Sequence, residues 1–412
     1  MNEWNTTLYS NLSFRVPLTL HNKLSSILPW VMAATLFFIP LGSTLKSIAL
    51  PAALICILFV PSSTRLIPQV LKTLWCKLFL LFWGCILIAC LWSPAPLHNQ
   101  WEIVSKFSKI LFLPILVVGF TSRKTRDLTL HGFILAMLIT AVCSFYYAYI
   151  ADVELVDDLA GSIFRNHIMT SFMMALANFI SLKFGLESKN KFKAVYFIIS
   201  LILSWQIFFI NEGRTGYIAY LVMSIIFIVY KLPIKKIIYA LLFITIVSGL
   251  IYHFSSVVQS RVQEGITDIK TLRHGNFETP LGHRYLFHQY ANKKFHETPL
   301  IGHGTGSFTY LYAQDKPVAS WNRKLLEPHS QFWLIAVEQG VVGECLLILL
   351  LAALFWQSRK MKETRLLFYI FLIPFLLGNF TDSLLLYSGT GYLFVVIISM
   401  CLAETLPASD RR

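Results

Sequence analysis

Apolar runs of roughly 17–25 residues, near the length that crosses a bilayer, recur along almost the whole chain. Lipid offers no partner for backbone N–H and C=O, so each run must be an α-helix or a strand of a closed barrel. The runs lack the period-2 alternation of barrel strands, which selects helices. About twelve spans are expected, near 24–42, 45–61, 74–92, 103–120, 128–150, 164–182, 194–211, 215–230, 234–253, 330–356, 365–380 and 383–403. Composition agrees: 56% of the 412 residues are hydrophobic and only 14% are charged. A soluble domain carries roughly 25% charged residues to cover its surface. A small soluble domain, a disordered tail and a coiled coil are excluded; the fold class is an all-α polytopic membrane protein.

The net charge of +14 would suggest nucleic acid in a soluble chain. Here the basic residues concentrate in alternate loops, the positive-inside pattern, so no nucleic-acid partner is expected. One set of loops carries Arg65 and Lys72; Arg123, Lys124 and Arg126; Lys183, Lys189, Lys191 and Lys193; Lys231, Lys235 and Lys236; and Arg359, Lys360, Lys362 and Arg365. These loops and both termini are expected on the cytoplasmic side. The opposite set includes 93–101, without Lys or Arg, and 151–162, with Asp152, Glu154, Asp157 and Asp158. The seven cysteines lie in or beside apolar runs, so no disulfide framework is expected. The first apolar run lacks a small-residue cleavage site and reads as an uncleaved span. No internal repeat and no pair of interrupted helices in matching halves is evident.

Residues 254–329 form the one long loop, on the outer side. They divide the chain into a membrane bundle at 1–253, a loop domain at 254–329, and three further spans with a tail at 330–412. Val258, Val262, Ile266 and Ile269 predict an amphipathic helix over 256–272. Tyr285, Leu286, Tyr290, Ala291 and Phe295 predict a second after Gly282. Pro299, Gly302, Gly304 and Gly306 predict a turn-rich stretch.

Seven of the eleven histidines lie at 253–329. Their spacing is not that of a metal site: there is no HExxH and no Cys partner, and only Glu278, Glu297 and Glu327 are nearby carboxylates. No metal and no cofactor are expected. Arg214, in Asn211-Glu212-Gly213-Arg214-Thr215-Gly216, is either a snorkelling span-end arginine or a ligand contact. The charge rule disfavours arginine on this side, and two glycines would let backbone approach a ligand. Arg284 is either a loop ion-pair partner or, with Arg214, a bidentate diphosphate ligand. His329, where the polar loop meets a long apolar helix, suits a general base or is an interfacial histidine without a role. Glu338 is an intramembrane carboxylate, either functional or simply paired. Lys106 and Lys109, three apart on one helix face, and Arg165 with His167, are either headgroup ligands or snorkelling cations.

Three segments together resemble the O-antigen ligase family, within the larger O-antigen ligase and polymerase superfamily. They are Glu212-Gly213-Arg214-Thr215-Gly216; Gly282-His283-Arg284 followed by Thr298-Pro299-Leu300-Ile301-Gly302-His303-Gly304-Thr305-Gly306-Ser307-Phe308; and His329-Ser330-Gln331-Phe332-Trp333-Leu334 followed by Glu338-Gln339-Gly340-Val341-Val342-Gly343. The layout, with one large outer loop before the tenth span, is similar too. The resemblance implies a glycosyltransferase of the bacterial inner membrane. It would move O-polysaccharide from undecaprenyl diphosphate to a terminal sugar of lipid A–core at the periplasmic face, without metal or ATP. It carries catalytic roles to His329, Arg284 and Arg214, and substrate binding to Gly302 and Gly304 and, more loosely, to Lys106, Lys109 and Arg165. Membrane lipids, an O-antigen polymerase and a chain-length regulator are the further partners it implies. The rival readings are an O-antigen polymerase, which would be expected to use two substantial outer loops, and a lipid-linked glycan flippase.

Overall fold

Helices account for all the regular structure in the computed structural model, which describes residues 18–151, 160–189 and 191–406. Both termini and the acidic residues Asp152, Glu154, Asp157 and Asp158, used above for sidedness, lie outside the described residues. Among the described residues, eight helices are long and apolar enough to cross a membrane. They are α1 (Leu18–Leu41), α3 (Leu74–Ile88, prolonged by a 3-10 turn), α6 (Arg123–Tyr149), α7 (His167–Glu187), α8 (Phe192–Trp205, prolonged by a π turn), α9 (Arg214–Lys231), α10 (Ile234–Phe254) and α14 (Gln331–Ser358). Three apolar helices are shorter: α2 (Ser43–Leu58), α15 (Arg365–Gly378) and α16 (Ser388–Ala403).

The expectation of about twelve continuous spans is corrected at 103–120. That run is α4 (Leu97–Phe107), a 3-10 turn at Ser108–Phe112, and α5 (Leu113–Gly119). The break has a chemical cause. Pro114 in the first turn of α5 has no N–H to continue a helix. Lys109, at the break, needs polar partners inside an apolar bundle.

The long outer segment holds α11 (Ser256–Arg273), α12 (Pro280–Glu297) and α13 (Ser307–Asp315). Ser255 caps α11 by accepting from the Val258 N–H, and Thr279 caps α12 by accepting from the Gly282 N–H. The third helix follows directly on the turn-rich stretch marked by Pro299, Gly302, Gly304 and Gly306, and the sequence did not predict it.

Interruption recurs in α14, where Gly340 adopts φ 63° and ψ −159° and splits the helix. Backbone from the preceding loop fills the gap. The His303 and Gly304 N–H groups donate to the Val337 and Glu338 carbonyls at 2.8 and 2.9 Å, and Val341 N–H donates to Pro299 O at 2.8 Å. Behind this joint, α16 is buried over most of its length. Its Phe394 packs against Phe79, Phe371 and Phe375. By contrast α10 buries none of its residues.

Candidate active site

The Pro328–His329–Ser330 junction sets the geometry of the site. Ser330 caps α14, its hydroxyl accepting from the Trp333 N–H. His329, just before, is held at φ 55°, a left-handed conformation unusual for a side chain of this size. Its imidazole stacks on Phe287 of α12 at 5.9 Å between centroids. The ring is a quarter exposed, with Nδ1 3.2 Å from Asp382 Oδ1 and 3.3 Å from Glu327 Oε1. Among the described residues, Nε2 makes no hydrogen bond. The half-buried His288, one residue after Phe287, donates from Nε2 to the His329 carbonyl at 3.2 Å. Burial lowers the His288 pKa below the ordinary histidine value, against the opposing pull of this hydrogen bond.

Asp382 is the hub. It lies in the turn between α15 and α16, and its side chain is wholly buried. Oδ1 meets Arg284 Nη2 at 3.4 Å, the Tyr387 hydroxyl at 3.3 Å and His329. Oδ2 makes no hydrogen bond among the described residues. Glu327 accepts from the Ser383 hydroxyl at 2.7 Å and the Tyr387 hydroxyl at 2.9 Å. Helix α12, the α14 N-terminus and the α15–α16 turn thus deliver one residue set to one place.

The sequence-predicted residues divide sharply in this structure. Arg284 and His329 share the Asp382 carboxylate. Arg214, at the start of α9, instead pairs with Asp268 of α11 at 2.9 Å. It lines a cavity of about 470 Å³ with Ser260, Gln263, Thr267 and Pro280. Pro280 opens the helix that carries Arg284 one turn later. The glycines beside Arg214 serve packing: a Cβ on Gly213 or Gly216 would collide with Ser171 of α7. A Cβ on Gly302 would strike the backbone of Glu338 and Gln339, and one on Gly304 that of Ala89 and Ser93. With φ of 66° and 91°, both glycines are explained by chain contacts.

Lys109 is buried and donates to the carbonyls of Leu385, Leu386 and Tyr387 at 2.8, 2.8 and 3.0 Å. An ammonium has three protons, so none is left for a headgroup, and Lys109 is a strut beneath the Asp382–Tyr387 turn. Lys106 pairs with Glu102 at 3.1 Å. Arg165 donates to the Ile39 carbonyl from Nε and Nη2 at 3.0 and 2.8 Å, and to the Ser43 hydroxyl at 2.8 Å. Glu338 is buried at the helix break, close to the backbone amides of Gly306 and Phe308 at the α13 N-terminus. Apart from His288 and His329, two of the loop histidines point elsewhere: His283 meets Ser320, and His303 meets the Lys294 carbonyl.

Sequence reasoning missed Asp382, Tyr387 and Ser383, and weighed Glu327 only as a metal ligand. Asp382 did carry a signal, being a carboxylate between two apolar runs. Glu327, His329 and Asp382 offer ligand atoms within 4.8 Å of one another, a spacing that could hold a cation. Arg284 already pairs with Asp382 Oδ1, so a guanidinium supplies positive charge at this carboxylate. The site holds an imidazole backed by carboxylates and a guanidinium that shares the same Asp382 oxygen, the equipment for taking a proton and meeting the charge of a departing anion.

Residues 199–348, which include Arg214, Arg284 and His329, match the family model described as O-antigen ligase. A protein of Rickettsia felis, provisionally named a polysaccharide ligase, is 22% identical over 297 residues, covering 70% of each chain. One of the same name from Rickettsia bellii is 22% identical over 285 residues, covering 66% of this chain and 65% of its own. An uncharacterised protein of Haemophilus influenzae is 24% identical over 315 residues, covering 73% of this chain and 78% of its own. In a chain whose helices make it an integral membrane protein, residues 199–348 are therefore similar to the O-antigen ligase family.

Proposed function

We propose that this protein is an O-antigen ligase of the bacterial inner membrane. It transfers O-polysaccharide from undecaprenyl diphosphate to a terminal sugar of lipid A–core at the periplasmic face. The observation that carries this reading is the convergence of Arg284 and His329 on Asp382, inside the segment that matches the ligase model. An apolar cavity of about 950 Å³ between α8, α9 and α10 supports a lipid-borne donor. It reaches Val258 and Val262 of α11, the helix whose next turns line the Arg214 cavity.

The donor is already activated, because lipid diphosphate is a good leaving group. The acceptor hydroxyl attacks the anomeric carbon and its oxygen forms the new glycosidic bond. The bond from that carbon to the diphosphate oxygen breaks, and its electron pair leaves with the diphosphate. His329 Nε2 takes the hydroxyl proton. Arg284, with Arg214 one helix away, meets the charge on the leaving group. A single displacement inverts the anomeric centre.

The test is the lipopolysaccharide pattern of a deletion strain complemented with wild type or His329→Ala. Bare core, with long polymer stranded on the lipid carrier, is expected without the gene and with the variant, and capped core with wild type. Core capped by single repeats would instead mean a polymerase. Normal capping with His329→Ala at wild-type membrane levels would remove the histidine from the mechanism.

A further inference from the structure

A second basic cluster lies one peptide away from the His329 site and is not used by the chemistry above. Tyr387 reaches into that site, and the next residue, Ser388, opens α16 on the other side. Lys46 of α2 donates to the Ser388 hydroxyl at 2.5 Å and sits over the Tyr392 ring at 4.2 Å. Lys46 is only 3% exposed. Arg165 approaches the same helix end, with Nε 3.8 Å from where a Cβ on Gly389 would stand. Its bond to Ser43 ties it to the first residue of α2, three before Lys46. Among the described residues no carboxylate pairs with Lys46 or Arg165. A buried cation normally has a counter-charge, yet here two cations stand together on one helix end.

The place is also open and amphipathic. Ser43 and Ser388 are exposed and Arg165 is partly so. Leu45, Ile48 and Phe164 beside them are exposed as well, at 44%, 64% and 37%. Alternating loop charge puts these helix ends on the outer side. Helix α16 starts without a side-chain cap, so its positive end adds to the two side chains. Ammonium, guanidinium and an uncapped helix end suit a phosphate oxyanion. The apolar rim suits a phosphate carried on a lipid, as in basic pockets between spans that hold headgroups.

We propose that Lys46, Arg165 and the Ser388 end of α16 form a binding site for the phosphate of a membrane lipid headgroup, separate from the Arg284–His329 site. The site does not depend on which reaction the neighbouring residues catalyse, and its test reads binding alone.

Native mass spectrometry of the full-length, delipidated protein in detergent would count bound phosphatidic acid, with diacylglycerol as the phosphate-free probe and inorganic phosphate as competitor. Lys46→Met and Arg165→Gln should each weaken binding of one phosphatidate at least ten-fold, Lys46→Arg should retain it, and diacylglycerol should bind equally to all. An unchanged unfolding temperature in Lys46→Met would separate lost binding from lost fold. Displacement by inorganic phosphate at micromolar concentration would assign the site to free phosphate and overturn the lipid source. Equal phosphatidate binding by wild type, Lys46→Met and Arg165→Gln would overturn the site itself.

Discussion

At the residue scale, one buried carboxylate organises the candidate site. Asp382 Oδ1 holds both the His329 imidazole and the Arg284 guanidinium. Asp382→Asn keeps the volume but removes the charge that orients the ring and would stabilise it when protonated. Glycan transfer by purified protein should fall by about 10²–10⁴, the usual worth of acid–base catalysis. A loss smaller than ten-fold would reduce Asp382 to a packing residue. Arg284 and His329 were legible in the sequence because both fall in the segments that resemble the ligase family, and His329 also stands at a helix entrance. Asp382 showed only as a carboxylate between apolar runs; its role was hidden because its partners are 98 and 53 positions away, and neither periodicity nor spacing reports a contact over such distances. The glycines beside Arg214 show the opposite case. They suggested a ligand, but they are small because Ser171 packs there.

At the element scale, broken helices do the positioning. The run at 103–120 looked like one span because its apolar content is nearly continuous. Lys109 gave the break away only in retrospect, since a buried ammonium in lipid-facing helices must find carbonyls. It finds three, in the turn that carries Asp382 and Tyr387. Lys109→Met would strand those carbonyls at about 1–3 kcal/mol each, less the relief of no longer burying a charge. The expected result is a lower unfolding temperature in detergent together with impaired transfer. A variant as stable as wild type but inactive would instead give Lys109 a direct part in the reaction. The third outer helix, α13, was hidden for a related reason. Gly302, Gly304 and Gly306 read as turn signals, and the short helix after them is held by contacts with α4 and α14 more than by its own nine residues.

At the scale of the whole molecule, alternating loop charge makes a sidedness prediction. Glu278, exposed between α11 and α12, and Lys362, exposed between α14 and α15, should face opposite compartments. Single cysteines at these two positions, treated with a membrane-impermeant maleimide in cells with a permeabilised outer membrane, should label above wild-type background at 278 and not at 362. The reverse pattern would invert the topology and put the His329 site in the cytoplasm. The interruption at Gly340 bears on how this architecture could be recombined. Residues 299–304 are bonded to the chain on both sides of that break, so the outer segment does not end where the apolar run begins. A hybrid that exchanges outer segments between related proteins at residue 330 would divide a folded joint between two parents. One that carries the exchange through residue 342 would keep both halves of the joint from a single parent, and that is the natural seam for domain shuffling.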